Sequence, residues 1–165
     1  MGAGRNHHFH NNETNGEKFF IVSEIAENGE LFDYVQEAEG LKEDIARSLF
    51  KELVDAMAYV HSKGVAHRDL KLENIFLDRN VKVKIADFGL MKIFDGPNKE
   101  ALKTKCGTLN YMAPELSGQE TYEGPPVDIF ACGVMLFMML TSKQPFNEAN
   151  DIWHQRLVAD PVKAM

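Results

Sequence analysis

The stretch that decides the fold is His67-Arg68-Asp69-Leu70-Lys71-Leu72-Glu73-Asn74. It gathers a carboxylate, two cations and an amide between two apolar segments, Val65-Ala66 and Ile75-Phe76-Leu77. Downstream come Asp87-Phe88-Gly89 and then Ala113-Pro114-Glu115. Asp-Phe-Gly alone is a common turn, and His-Arg-Asp alone is weak. All three in this order, on a strand-loop-strand background, are not a chance arrangement.

The residue types suggest a chemistry. An Asp placed to take a proton, beside an amide oxygen that can ligate a metal, suits transfer of a phosphoryl group to a hydroxyl. That reaction needs little covalent help and much positioning and charge neutralisation. Asp69 is the candidate base. Asn74 and Asp87 are candidate hard-oxygen ligands for Mg²⁺. Lys71 is close enough in sequence to reach the transferred oxygens. Phe88 would fix the turn carrying Asp87, and Gly89 would permit its backbone.

Composition sets limits around this core. The 165 residues amount to at most one ordinary domain. The apolar share, 44%, is enough for a packed interior. A net charge of -7 argues against a nucleic-acid or membrane-surface partner, and neither is expected. The charge fits a handler of metal-bound phosphates or basic peptides, and equally any acidic soluble protein. Cys106 and Cys132 show no metal-ligand spacing, so reduced thiols and an intracellular, cytoplasmic location are expected. No apolar stretch marks a signal peptide near the start. The apolar run 129–140 reads as a helix buried on all sides and too short to span a bilayer.

Taken in order, residues 1–17 are rich in Asn, His and Gly and read as a disordered polar tail, with a partial domain over 18–165. Residues 19–22 predict a strand, 23–29 a turn and 30–36 a short helix. A long helix is predicted over about 42–62, with Ile45, Leu49, Leu53, Met57 and Val60 on one face and Lys63-Gly64 as its stop. Residues 75–77 and 83–85 predict two more strands. From 89 to 113 the pattern dissolves, and 99–108 reads as a mobile polar loop. Residues 121–126 read as another loop. Asp128 is the N-cap candidate for the apolar helix, which residues 142–145 end. An amphipathic helix is predicted over 147–159. The fold class is mainly α with short β strands.

The three motifs resemble those of the eukaryotic protein kinases, specifically their large C-terminal lobe. The Gly-Glu-Leu-Phe-Asp-Tyr run from Gly29 to Tyr34, with Cys106-Gly107-Thr108, is most similar to the calcium/calmodulin-dependent and AMP-activated group. The resemblance implies a protein-kinase-like lobe truncated at both ends. It also implies transfer of the ATP γ-phosphate to Ser or Thr hydroxyls, with ATP and Mg²⁺ as cofactors and protein substrates as partners. Asp69 is then the base, Asn74 and Asp87 hold Mg²⁺, and Lys71 is the companion cation of a Ser/Thr enzyme. Thr108 steadies Asp69 and Lys71. His67 and Phe88 join the apolar stack between lobes, and Asp128 is the buried acid that holds the His67–Arg68 backbone.

The same resemblance makes residues 23–26 a hinge, with Ser23 at the gatekeeper position. Glu24 and Ala26 would meet adenine there, over a floor at Phe76. Glu30 would contact the ribose or a basic substrate residue. With Glu73 it suggests a preference for Arg or Lys before the target residue, though both carboxylates also suit a solvated surface. Arg68 implies regulation by phosphate on a loop Thr, for which Thr104 is the candidate, added by an upstream activating kinase. The family's Gly-rich loop and phosphate-binding lysine have no counterpart: Gly2-Ala3-Gly4 lies in the polar tail with no strand, and Lys18 sits at the wrong end of its strand. The strand 19–22 is therefore expected to lack a sheet to join, and the chain alone to be poorly stable and inactive or a fragment. The alternative is a non-catalytic, kinase-like interaction module. An intact Asp69, Asn74 and Asp87 favour the enzyme.

Overall fold

The computed structural model describes residues 7–11, 18–94 and 101–146. Two long helices pack against each other and against short paired strands. The first long helix, α2 (Glu43–Ser62), starts with Glu43 and Asp44 at its positive end, where carboxylates are favoured. Its buried stripe is Ala46, Leu49, Leu53 and Met57. Ile45, expected in that stripe, is 47% exposed. At 3.6 residues per turn Ala46 lines up with Leu49, Leu53 and Met57, and Ile45 lies about 100° away. Full burial of a side chain such as Leu53 or Met57 contributes about 1.5–3 kcal/mol.

The helix stops where the sequence places Gly64. Its φ is +70°, and a Cβ there would lie 2.6 Å from the Phe94 carbonyl oxygen. That closeness lets two-residue strands pair next to it, β3 (Val65–Ala66) with β6 (Lys92–Ile93). Strands β4 (Ile75–Leu77) and β5 (Val83–Ile85) form the expected antiparallel hairpin. The short helix α1 (Leu31–Glu37) buries Leu31 and Val35. Ahead of it, Asn28 N donates to Leu77 O and Leu77 N donates to Gly29 O, so the turn that follows the hinge-like segment lies along β4.

Two expectations fail at the start of the chain. Residues 7–11, read as part of a disordered tail, form strand β1 (His7–Asn11). It pairs antiparallel with β2 (Lys18–Val22), in the register His7 with Val22 through Asn11 with Lys18. The strand read as having no sheet to join therefore has a partner. Backbone pairing asks for no particular side chain, so a polar composition did not exclude it.

The second long helix, α4 (Gly124–Thr141), starts inside the segment read as a loop. Pro125 and Pro126 sit in its first turn, where a missing N–H costs nothing. Asp128 is consequently inside the helix and is not its cap. The helix is apolar all round but not buried all round: Ile129, Phe137 and Leu140 are exposed. By length and composition the whole helix, longer than the run 129–140, is apolar enough to cross a membrane. Half of it, however, is buried inside the protein, including Met135, Met138 and Met139. Burial pushes the Cys132 thiol up to about 12, with the Asp128 charge adding to it, so the thiol stays protonated.

The larger core cluster joins α1, α2, β4 and α4. A smaller one contains Leu102, Ala113, Leu116, Tyr122 and Val127. Leu102 lies in the run read as mobile and polar, yet it is buried. Its N–H and C=O pair with the backbone of Tyr122 at 2.8 and 2.9 Å. A single apolar side chain is enough to anchor that strip. A short helix, α3 (Glu115–Gly118), follows the Ala-Pro-Glu motif. The predicted helix over 147–159 lies outside the described residues.

Gly124 packs directly beneath β3: a Cβ there would lie 2.4 Å from the Ala66 Cβ. Gly→Ala at a compatible helical site stabilises by roughly 0.4–1 kcal/mol. Here overpacking, at about 1–3 kcal/mol, should dominate. Gly124→Ala is thus expected to lower the urea unfolding midpoint, and a midpoint that is unchanged or raised would contradict this packing.

Candidate active site

The central stretch runs from β3 to β4, and its shape is set by a residue on a different helix. Asp128 is 1% exposed. Its Oδ2 accepts the His67 N–H at 2.9 Å, and its Oδ1 accepts the Arg68 N–H at 2.8 Å. His61 Nε2 adds a third donor at 2.8 Å to Oδ2. A buried carboxylate is tolerable only when its lone pairs are filled this way. The clamp holds Arg68 at φ +68°, a conformation ordinarily unfavourable for a side chain of this size.

His67 is fully buried, and both ring nitrogens are used. Nε2 donates to the Ala86 carbonyl at 3.0 Å, and Nδ1 accepts the Asp69 N–H at 3.3 Å. The ring also meets Phe88 with centroids 4.7 Å apart. The expected His67–Phe88 contact is therefore present. It ties the turn carrying Asp87 to the turn carrying Asp69.

Asp69 is one corner of a triangle with Lys71 and Thr108. Thr108 Oγ1 donates to its Oδ1 at 2.8 Å, and Lys71 Nζ donates to its Oδ2 at 3.2 Å. Lys71 Nζ also reaches Thr108 Oγ1 at 3.2 Å. The approach depends on Gly107, whose φ is +115° and whose Cβ would lie 2.7 Å from the Arg68 carbonyl oxygen. Only glycine lets the loop come that near.

Asn74 is buried, and its Nδ2 donates to the Asp69 carbonyl at 2.9 Å. That bond orients the amide and leaves its oxygen as the free donor atom. The Asn74 carbonyl takes the Ala86 N–H at 2.9 Å, which brings Asp87 to the same end of the β4–β5 hairpin. Asp87 is exposed and left-handed, φ +59°, with one carboxylate oxygen on the Gly89 N–H. The pair fits Mg²⁺, which is held by few protein oxygens and prefers carboxylate and carbonyl donors. Among the described residues no cluster of three or more His, Cys, Asp or Glu competes for a metal.

Other candidates are placed differently. The Glu24 side chain pairs with Lys84 at 3.0 Å on the surface. Ala26 O accepts the Gly29 N–H in the hinge-like turn. Phe76 is half-buried and bridges to the backbone of Glu30. Glu73 is held by Tyr111, whose hydroxyl donates to Oε2 at 3.0 Å. Burial raises the Tyr111 pKa, with the Glu73 charge next. No described contact joins Glu73 to Glu30. Arg68 donates from Nε to Leu90 O at 2.7 Å and from Nη1 to the Tyr122 hydroxyl at 3.1 Å. Thr104 is exposed, and its carbonyl accepts from the same hydroxyl at 2.6 Å.

Three members were missed in the sequence. His61 continues the buried stripe Leu49, Leu53, Met57 at the next turn, and a histidine at that spacing was the available signal. Tyr111 follows Thr108 by three residues. Tyr122 had no local signal at all.

A family model, the protein kinase domain, matches residues 7–164. The chain belongs to the protein kinase domain family. Its relatives include the carbon catabolite-derepressing protein kinase of Secale cereale, 46% identical over 79% of this chain and 26% of that protein. The CBL-interacting serine/threonine-protein kinase 9 of Arabidopsis thaliana is 45% identical over 81% of this chain and 30% of its own length. The serine/threonine-protein kinase chk1 of Schizosaccharomyces pombe is 42% identical over 86% and 28%. The kinase domain thus resembles Ser/Thr enzymes, and the chain spans about a quarter to a third of the length of these relatives.

Removing the Asp128 carboxylate would strand two buried amides and His61. Asp128→Ala is expected to cost several kcal/mol in denaturant unfolding, since the two amide bonds to the carboxylate contribute roughly 1.5–3 kcal/mol each. A loss below about 1 kcal/mol, typical of a surface pair, would show that the clamp is dispensable.

Proposed function

We propose that the protein acts as a Ser/Thr protein kinase site in which Asp69 takes the proton of the substrate hydroxyl. The single observation that carries this reading is the Asp69–Lys71–Thr108 triangle. Thr108 and Lys71 each occupy one carboxylate oxygen, which fixes the plane of the base and leaves lone pairs for an incoming O–H. Lys71 also places a cation where negative charge gathers on the transferred group. Asn74 and Asp87 would hold Mg²⁺ at the other end of the site. When bound, the ion supplies charge neutralisation on the ATP phosphates.

Adenine would lie against residues 23–26 and over Phe76. Glu30 and Glu73 support a substrate with basic residues, Glu73 through an orientation set by Tyr111. Thr104 is the proposed site of activating phosphorylation, because its backbone lies one hydroxyl away from Arg68. Among the described residues no glycine-rich loop lies ahead of the hinge-like segment, and the β5 lysine, Lys84, pairs with Glu24. The chain by itself is therefore read as binding nucleotide weakly and turning over little.

Titration with a fluorescent ATP analogue tests the metal-binding half. Binding should require Mg²⁺ and should weaken at least tenfold in Asp87→Asn. Affinity indifferent to both Mg²⁺ and Asp87 would contradict the assignment. With γ-labelled ATP and a basic Ser peptide, no label above background is expected from this chain. Turnover abolished by Asp69→Asn would overturn the expectation of inactivity while supporting Asp69 as the base.

A further inference from the structure

Tyr122 lies outside every motif and belongs to none of the roles above, yet its hydroxyl makes two bonds at the centre of the regulatory face. It accepts from Arg68 Nη1 at 3.1 Å and donates to the Thr104 carbonyl at 2.6 Å. Its backbone is bridged in both directions to Leu102. The ring is 5% exposed, in the cluster with Leu102, Ala113, Leu116 and Val127. Burial raises the phenol pKa while Arg68 opposes the shift, so the hydroxyl keeps the proton that it donates.

Arg68 is held from two sides. Nε is spent on Leu90 O at 2.7 Å and Nη1 on Tyr122. A guanidinium has five N–H donors in a fixed fork, so this clamp sets its plane and leaves donors over. The side chain of Thr104 faces solvent, while its backbone is tied, through one oxygen, to that fork.

We propose that Tyr122 is a positioning residue that keeps the backbone of Thr104 beside Arg68, so that a phosphate on Thr104 meets a guanidinium already fixed in place. The inference rests on the reading of Thr104 as the phosphorylated residue and adds the residue that prepares its reader. The gain is entropic. A preset fork and a preset backbone lose less freedom when the charge-assisted bonds form. Tyr122→Phe keeps the buried ring and removes only the shared hydroxyl.

The test is a four-chain cycle: Thr104 with and without phosphate, each with Tyr122 and with Tyr122→Phe. Phosphothreonine is installed during synthesis of the chain. Thermal unfolding gives the phosphate-dependent shift, and amide exchange over residues 103–106 locates it. In the Tyr122 chain, phosphate is expected to raise the midpoint by several degrees and slow exchange in that strip. In Tyr122→Phe, less than half of that shift should survive. A simple packing role would lower both midpoints and leave the shift between them unchanged, and that result would overturn the proposal. No phosphate effect in the Tyr122 chain would instead overturn Thr104 as the residue that Arg68 reads, and this inference with it. Should Tyr122→Phe fail to fold, 4-fluorophenylalanine at position 122 keeps the ring and fills the hydroxyl's place with a group that cannot donate and accepts only feebly. The same reduction of the shift is expected, and an undiminished shift would overturn the proposal.

Discussion

One buried carboxylate organises the lobe. Asp128 projects from α4 and receives two consecutive amides of the central stretch, those of His67 and Arg68. Hydrogen bonds to a charged group contribute roughly 1.5–3 kcal/mol each. That is enough to offset the left-handed backbone of Arg68, which costs about 1–2 kcal/mol. The turn forced at Arg68 separates two sets of contacts. Arg68 reaches Leu90 and Tyr122, while Asp69 reaches Lys71 and Thr108. The two sets of contacts thus leave adjacent residues in different directions, and both follow from a turn held by a residue some sixty positions away in sequence.

The remaining contacts extend that fixed point. His67 passes the constraint to Ala86, and with Phe88 it reaches the turn carrying Asp87. Asn74 ties the Asp69 carbonyl to the β4–β5 hairpin. Gly107 lets the second loop close over Arg68 so that Thr108 arrives at Asp69. The Asp69 carboxylate is consequently fixed by its neighbours, whereas Asp87, at the open end, stays exposed. That division suits the phosphoryl transfer proposed above, which would need a rigid base and an accessible metal ligand.

Much of this was legible in the sequence, and the exceptions share a cause. The motif residues, the β4–β5 hairpin and the span of α2 were readable because each carries a local pattern. The pairing of β3 with β6 was not, since strands of two residues have no periodicity to read. The start of α4 was hidden by two prolines that normally signal a loop but also suit a first helical turn. Asp128 illustrates the limit best. Local rules made it a cap, and only the resemblance to kinases made it a clamp, because its partners are remote in sequence. Ile45 and Ala46 were confused because adjacent residues on a helix lie about 100° apart, and hydrophobicity alone chose the larger one. Leu102 and Tyr122 hold the strip over Arg68 through a backbone bridge between distant segments, which composition cannot reveal.

The organising role of Asp128 is most directly read from native-state amide exchange of the full chain, followed residue by residue. If Asp128 anchors the site, the His67 and Arg68 amides exchange only through global unfolding, as slowly as the Leu53 and Met57 amides in the middle of α2. Exchange at the rate of the exposed turn at Asn80 and Val81 would show that the carboxylate does not hold them, and that the site is assembled some other way.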